Sequence, residues 1–154
     1  MSSRGLTGPK AAAYIRGMRY LGVDLGRARI GLALADDVLR SASPLKTLHR
    51  QGSAKDLAEL RRVLEEWEVE QAVVGLPLNM DGTEGASARL ARAFAAGLAA
   101  ELEIPVDLFD ERLSTFEAEE RLRARGISAR EGRSRVDAEA AAVILQGWLE
   151  ARGR

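Results

Sequence analysis

Three short apolar segments follow one another in the first third of the chain, and only short connections separate them. They cover residues 19–24, 31–36 and 45–49, and Gly26 and Gly31 bracket the first turn. Short connections join antiparallel strands, because parallel neighbours need crossovers of about a dozen residues or more. A chain that begins in this way cannot form an all-parallel sheet.

After residue 50, helical and strand-like segments alternate. Further strands are predicted at residues 71–76 and 105–109. Strands that each follow a helix are joined by right-handed crossovers. We therefore predict an α/β fold with a mixed five-stranded sheet and helices on both faces. Four helices are predicted. The first begins with Ser53 as its N-cap and continues to about residue 68, and the second covers residues 86–101 with Leu90, Phe94 and Leu98 on one face. The third begins at a capping box at 114–117 and is closed by Gly126, and the last begins near Val136, with a packed stripe of Val136, Ala140, Val143, Ile144 and Gly147.

The length and composition fit one globular domain. The chain has 154 residues, of which 46% are hydrophobic and 30% charged, with no cysteine and one histidine. Residues 1–17 lack periodicity, so we expect a disordered tail there and a single domain over residues 18–150. The lack of cysteine excludes disulfides, thiolate zinc sites and cysteine nucleophiles. No apolar run approaches the roughly 20 residues of a membrane span, and no signal-peptide core is present, so we expect a cytoplasmic protein.

Basic and acidic residues balance at 23 each, but the basic residues are unevenly distributed. Residues 1–19 carry four basic side chains and no acid, and residues 121–135 carry six arginines and one acid. Arginine suits bidentate contacts to phosphate. The uneven distribution indicates either a nucleic-acid-binding segment or a solvated helix face beside a tail.

Three acidic residues fall where a sheet of this kind places ligands. Asp24 ends a predicted central strand, Glu111 follows the fifth strand, and Asp137 lies in the first turn of the last predicted helix. With no cysteine and one histidine, oxygen ligands are what this composition can most readily supply, and they suit Mg²⁺ or Mn²⁺. Each acid also has a structural interpretation, as a turn residue, an ion-pair partner of Arg112 or a helix N-terminal acid. We expect all three to converge at one end of the sheet.

Two segments are candidates for contacts to phosphate near these acids. Residues 77–85 form a loop with two glycines before a helix whose N-terminal amides could bind phosphate, and Asn79 and Thr83 add donors. Arg27 and Arg29 lie in the turn after Asp24. An ordinary connecting loop is the alternative. We expect the loop to lie on the side of the acids and to be mobile without substrate.

The motifs together resemble the YqgF family, also called RuvX-like, whose members are described as Holliday junction resolvases and assigned to maturation of 16S ribosomal RNA. The resemblance covers about residues 18–150, and its most specific part is the run VGLPLNMDGTEG. The matching segments are LGVDLGRARIGLALAD (21–36), VVGLPLNMDGTEG (73–85), DERLST (110–115) and VDAEAAAVILQGWL (136–149).

The resemblance implies a ribonuclease H-like fold and an acidic cluster at Asp24, Glu111 and Asp137 that is both catalytic and metal-binding. Two positions depart from the family pattern, since Ala28 and Ala138 stand where the family usually has a basic residue and often has a lysine. From the charge pattern and the resemblance together, the expected substrate-binding residues are Arg27, Arg29, Asn79, Gly82, Thr83, Arg112, Arg130, Arg133 and Arg135.

The favoured function is a Mg²⁺- or Mn²⁺-dependent nuclease that hydrolyses phosphodiester bonds of structured nucleic acid, with the 5′ end of precursor 16S ribosomal RNA as the substrate that the resemblance implies. A four-way DNA junction is the alternative substrate. A non-catalytic RNA binder in ribosome assembly and a half-domain of a sugar kinase or actin-type ATPase are the other classes considered. The expected partner is nucleic acid and not a membrane. The expected oligomeric state is a monomer or weak dimer.

Overall fold

The computed structural model describes residues 17–113, 120, 122–126 and 133–152, without the side chains of residues 133–136. The described part contains one five-stranded sheet with the strand order β3-β2-β1-β4-β5. β1 pairs antiparallel with β2, β2 antiparallel with β3, and the pairs β1–β4 and β4–β5 are parallel. The predicted mixed sheet is confirmed. The strands are β1 Arg19–Leu25, β2 Arg29–Asp36, β3 Ser43–His49, β4 Gln71–Leu76 and β5 Val106–Asp110.

In the described part of the chain, three helices cover the two faces of the sheet, and the prediction of helices on both faces is confirmed. They are α1 Ser53–Trp67, α2 Ala86–Leu102 and α3 Arg133–Arg152. Alternate residues of each strand face opposite sides, so the sheet contributes to two separate cores. One core contains Leu21 and Val23 of β1 with the buried residues of α1 and α2. The other contains Tyr20 of β1 with Leu145 and Trp148 of α3.

Two details of the first two helices differ from the sequence-based expectation. The N-cap of α1 is Gly52 and not Ser53, because Gly52 takes φ 105°, a conformation that glycine adopts without strain. In α2, Leu90 is half-exposed, whereas Phe94 and Leu98 are buried. Each step of four residues turns a helix about 40° beyond a full circle, so Leu90 lies about 80° from Leu98 and outside the buried stripe.

The last helix begins earlier and buries a wider face than the predicted stripe. Its first residue is Arg133, and Asp137 therefore lies in its second turn and not its first. Ala140 and Val143 are only partly buried, whereas Ala141, Ala142 and Leu145 are buried. The cause is the surface below, where Gly22 of β1 lets the helix approach until a Cβ at that position would lie 2.8 Å from the Ala141 carbonyl oxygen.

Several expectations fall on residues outside the described part of the chain. These are the tail up to residue 16, the capping box at 114–117, and the side chain of Val136. Gly126 takes φ 81°, as expected for a residue that ends a helical segment. Just before it, Arg125 donates hydrogen bonds to Ser41 Oγ and to the Ala42 carbonyl oxygen, which fastens this segment to the start of β3. No helix in the described ranges has the length and apolar character needed to cross a membrane.

Candidate active site

Asp24 stands near the end of the central strand, with a glycine on each neighbouring strand. The register pairs Asp24 with Gly31 of β2, and Gly75 of β4 follows the residue paired with Val23. All three residues face α3, so the Asp24 carboxylate lies between two positions without side chains. Burial, and next the negative charge of Asp137, raise the pKa of Asp24 to about 6.

Glu111 reaches the same place from the end of β5. It begins the 3-10 turn Glu111–Leu113 that directly follows the strand. A Cβ at Gly75 would lie 2.7 Å from Glu111 Oε2, so the missing side chain at Gly75 makes room for this carboxylate. Burial, then the charges of Asp24 and Asp110, raise the pKa of Glu111 to about 7. Glu111 and Asp24 are therefore close, mutually repelling carboxylates.

Asp137 is brought over the sheet by the close approach of α3 to β2. A Cβ at Gly31 would lie 1.8 Å from the Asp137 carbonyl oxygen, so the first turns of α3 rest directly on this glycine. The Asp137 carboxylate accepts a hydrogen bond from Arg29 Nε at 2.5 Å, and its charge reaches Asp24. The structure thus brings the three predicted acids to one end of the sheet, with Arg29 beside them.

The three carboxylates are not arranged as a closed set of metal ligands. Over the described ranges, no three carboxylate or imidazole groups lie close enough to hold a metal ion. The Asp137 carboxylate is instead paired with Arg29, so a cation from the protein already neutralises it. The donor set nevertheless fits a hard divalent cation. Asp24 and Glu111 are two partly buried carboxylates, the charge of Asp24 raises the pKa of Glu111, and a bound cation would relieve that repulsion.

The loop between β4 and α2 is closed by its own hydrogen bonds. The Asn79 amide donates to the Thr83 carbonyl oxygen at 2.9 Å, and Asn79 Nδ2 donates to Thr83 Oγ1 at 2.9 Å. Thr83 Oγ1 in turn donates to Asp81 Oδ1 at 2.7 Å, and this bond is the main cause of the lowered pKa of Asp81. Two of the predicted substrate donors therefore also hold the loop together. In the structure the loop is hydrogen-bonded, and its mobility without substrate stays a prediction.

Arg112 connects this loop to the acid-bearing edge of the sheet. Its guanidinium donates to both carboxylate oxygens of Asp110, and this contact lowers the pKa of Asp110. Arg112 Nη1 also donates to the Met80 carbonyl oxygen at 3.2 Å, and the position of a Cβ on Gly82 would lie 3.8 Å from the same guanidinium. The loop lies on the side of the acids, as expected, and Arg112 holds it there.

The other predicted phosphate ligands are only partly described. Arg27 is exposed in the turn between β1 and β2. The backbones of Arg133 and Arg135 lie in the first turn of α3, while their side chains and the whole of Arg130 fall outside the described residues. Of the six arginines in residues 121–135, Arg125 already donates hydrogen bonds to Ser41 Oγ and Ser43 Oγ, so its guanidinium is not free for a substrate.

One contributor to the site was missed by the sequence analysis. Arg50 donates to the carbonyl oxygen of Gly26, in the turn after Asp24, at 2.9 Å. It also pairs with Asp56 at 2.8 Å, and Asp56 is only 3% exposed. The pair braces the turn that follows Asp24. Its signal in the sequence is that Asp56 lies four residues before Leu60, on the buried stripe of α1, where an acid needs a partner.

The fold is shared with solved junction-cleaving enzymes. RuvC of Thermus thermophilus in complex with a Holliday junction matches with a TM-score of 0.59 and 22% identity, over 88% of this chain and 96% of that one. The fowlpox virus resolvase bound to a Holliday junction matches with a TM-score of 0.55 and 10% identity, over 89% of this chain and 100% of that one. The sheet and its acidic edge define a ribonuclease H-like protein of the nuclease class.

The chain belongs to the RuvX family. The family model described as "RuvX: Holliday junction resolvase" matches residues 18–151. A relative from Anaeromyxobacter sp. (strain Fw109-5) is 71% identical over 135 residues, which are 88% of this chain and 98% of the relative. One from Thermosynechococcus vestitus is 46% identical over 134 residues, which are 87% and 89% of the two chains. Both relatives carry the name "Putative pre-16S rRNA nuclease".

Proposed function

We propose that this chain is a divalent-metal-dependent nuclease that cuts phosphodiester bonds of structured RNA and matures the 5′ end of precursor 16S ribosomal RNA. The observation that carries the proposal is the meeting of Asp24, Glu111 and Asp137 at one end of the sheet, from three distant parts of the sequence. The names of close relatives support the RNA substrate. Such a substrate places the protein in the cytoplasm.

Asp24 and Glu111 are the residues proposed to hold the ion, with Asp137 as the third ligand once its carboxylate leaves Arg29. Mg²⁺ or Mn²⁺ bound there would supply Lewis-acid stabilisation of the phosphate and a hydroxide nucleophile at neutral pH. The chain supplies fixed, partly buried oxygens, because β1, the turn after β5 and α3 are each held by the sheet. Partial burial strengthens the attraction between these carboxylates and a cation.

The arginines around the acids are proposed to bind the phosphates of the substrate. Arg29 lies beside Asp137, and if Asp137 held the cation, the Arg29 guanidinium would be available to bind a phosphate oxygen. Arg27 is exposed in the adjoining turn. Arg112 presents its guanidinium where the loop meets the acid edge, and we propose Arg130, Arg133 and Arg135 as outer contacts. Contacts of this type fix position without reading sequence.

A four-way DNA junction is the second candidate substrate. It is favoured by the description of the matching family, and the two solved neighbours are junction enzymes. Cutting a junction in two symmetric strands calls for a two-fold dimer, because each incision needs its own copy of the acid site. A protein that processes one end of an RNA needs a single copy.

The test is a comparison of both substrates on one preparation. Purified protein is incubated with precursor 16S RNA and with a synthetic four-way DNA junction, each with Mg²⁺, with Mn²⁺ and with chelator. We expect metal-dependent shortening of the RNA at its 5′ end, lost in Asp24→Asn and retained in Glu66→Gln, a matched charge change at an exposed position of α1. If the protein cuts the DNA junction and not the RNA, the four-way junction is its substrate. Binding of RNA without cleavage in any metal would make the protein a binder.

A further inference from the structure

Met80 is an apolar side chain presented to solvent beside the acid site. It is 93% exposed, the highest value among the large hydrophobic residues in the described part of the chain. It lies in the loop between β4 and α2, and its two neighbours in the sequence, Asn79 and Asp81, are polar. Single exposed apolar residues are common on protein surfaces, so exposure alone indicates nothing. What distinguishes Met80 is how its backbone is held.

The loop is folded so that Met80 projects from a closed turn. The Gly82 amide donates to the Asn79 carbonyl oxygen at 2.8 Å, across Met80 and Asp81. Gly82 takes φ 88°, which closes the turn without strain. On the other side, the Thr83 amide donates to Asp81 Oδ1 at 3.0 Å. The hydrogen bonds therefore fix the direction of the backbone at Met80 before any partner arrives.

A second contact fixes the position of Met80 relative to the acids. The Met80 carbonyl oxygen accepts from Arg112 Nη1, and Arg112 directly follows Glu111 in the sequence. Arg112 is itself held by Asp110 through both carboxylate oxygens. Residues 110–112 thus carry both a site carboxylate and the attachment point of the loop. The backbone of Met80 is therefore tied to the residue that directly follows Glu111.

We propose that Met80 enters between two stacked bases of the bound RNA, next to the phosphate held at the acid edge. The proposal rests on the proposed function, because that function places a phosphate of the RNA at the three carboxylates. Methionine is unbranched and polarizable, and apolar side chains of this type act as wedges between bases in nucleic-acid complexes. The nearby guanidinium groups of Arg112 and Arg29 can bind phosphates, whereas the Met80 side chain can pack against the faces of bases. Separating one base step beside the cut would expose its phosphate to the carboxylates.

The experiment uses the full chain and short RNA duplexes from the 5′ end of precursor 16S RNA, each with 2-aminopurine at one of successive positions. Ca²⁺ replaces Mg²⁺ as the cation at the carboxylates, so that RNA binding is measured separately from cleavage. Wild-type protein should raise the fluorescence of one position, because unstacking relieves quenching. Met80→Ala should abolish that rise and weaken Kd by about tenfold, in line with the loss of one buried apolar side chain. Met80→Leu should retain both, and Leu90→Ala, half-exposed on α2, should behave as wild type.

The salt dependence separates a wedge from a phosphate contact. Because Met80 carries no charge, the slope of log Kd against log salt should be the same in wild type and Met80→Ala. Unchanged fluorescence and Kd in Met80→Ala would overturn the proposal, and so would a shallower slope or a change of oligomeric state, which would indicate a protein contact. Failure of the two proposals is distinguishable. Unstacking by wild type without cleavage in either Mg²⁺ or Mn²⁺ refutes the nuclease, whereas cleavage and binding that survive Met80→Ala refute the wedge.

Discussion

Asp24 has a glycine beside it on each neighbouring strand, and these two glycines control where the other carboxylates can stand. Gly31 admits the backbone of Asp137, and Gly75 admits the carboxylate of Glu111. A side chain at either position would fill the space that the acids share. At the scale of single residues, the site is therefore shaped as much by two missing side chains as by three charged ones.

Gly31→Ala should destabilise the fold by about 3 kcal/mol, at the upper end of the range for overpacked positions. The new Cβ would lie 1.8 Å from the Asp137 carbonyl oxygen, so α3 must move away from β2. Urea unfolding measures the effect. Gly97→Ala is the matched control, because a Cβ there meets only Leu57 at 4.0 Å. Equal unfolding midpoints for Gly31→Ala and wild type would show that α3 does not rest on β2.

Asp24→Asn should stabilise the metal-free protein at high pH and not at low pH. Folding raises the pKa of Asp24 to about 6, so ionising this carboxyl is harder in the folded than in the unfolded state. The resulting penalty is absent below the unfolded pKa, near 4, and complete above about 6. In chelator, we expect the variant to exceed wild type by about 2 kcal/mol at pH 8 and to match it near pH 4. Parallel stability curves over this range would contradict the burial of Asp24.

At the scale of elements, the loop before α2 and the turn after β5 behave as one unit, because Arg112 binds both. The sequence predicted each element separately, and strands β1 to β5 were placed to within about two residues. It did not predict their connection. Arg112 contacts Met80 across 32 residues of sequence, and a contact of that range depends on the register of β4 and β5.

The parts of the site that lie next to strand ends were predictable from the sequence. Asp24 and Glu111 follow apolar strands, and strand ends are visible as a change of pattern. The ion pair between Arg29 and Asp137 joins residues 108 positions apart, and its formation depends on the close approach of α3 to Gly31. Part of the buried face of α3 was missed because the small residues Ala141 and Ala142 are buried together with the larger Leu145.

Arg112→Ala should loosen the loop without unfolding the protein. The bond to the Met80 carbonyl oxygen and the bidentate contact to Asp110 are both lost, and the residue is exposed. Hydrogen exchange should become faster at the amides of Gly82 and Thr83, while the amides of β4 keep their rates. Arg61→Ala removes a comparable bond to the Glu101 carbonyl oxygen, far from the loop, and serves as control. Unchanged exchange in the loop would show that its own bonds suffice.

At the scale of the whole molecule, α3 is fixed to the sheet at both ends. Its first turns rest on Gly31 and carry Asp137, and its last turns carry Trp148 and Arg152. The Trp148 ring packs edge-to-face on Tyr20 with 4.9 Å between ring centroids, and Arg152 donates to the Tyr20 hydroxyl at 2.8 Å. An ion bound to carboxylates of β1, the turn after β5 and α3 would join these three elements, and only the folded chain can supply that set.

The most direct test of the central claim is calorimetric titration of the protein with Mn²⁺ at pH 8, where Asp24 and Glu111 are ionised. We expect saturable binding to wild type and to Glu66→Gln. Asp24→Asn and Glu111→Gln should each weaken the affinity by more than about tenfold, since each removes one charged ligand from the site. Affinities for Mn²⁺ that are the same in wild type, Asp24→Asn and Glu111→Gln would show that these carboxylates do not hold the ion.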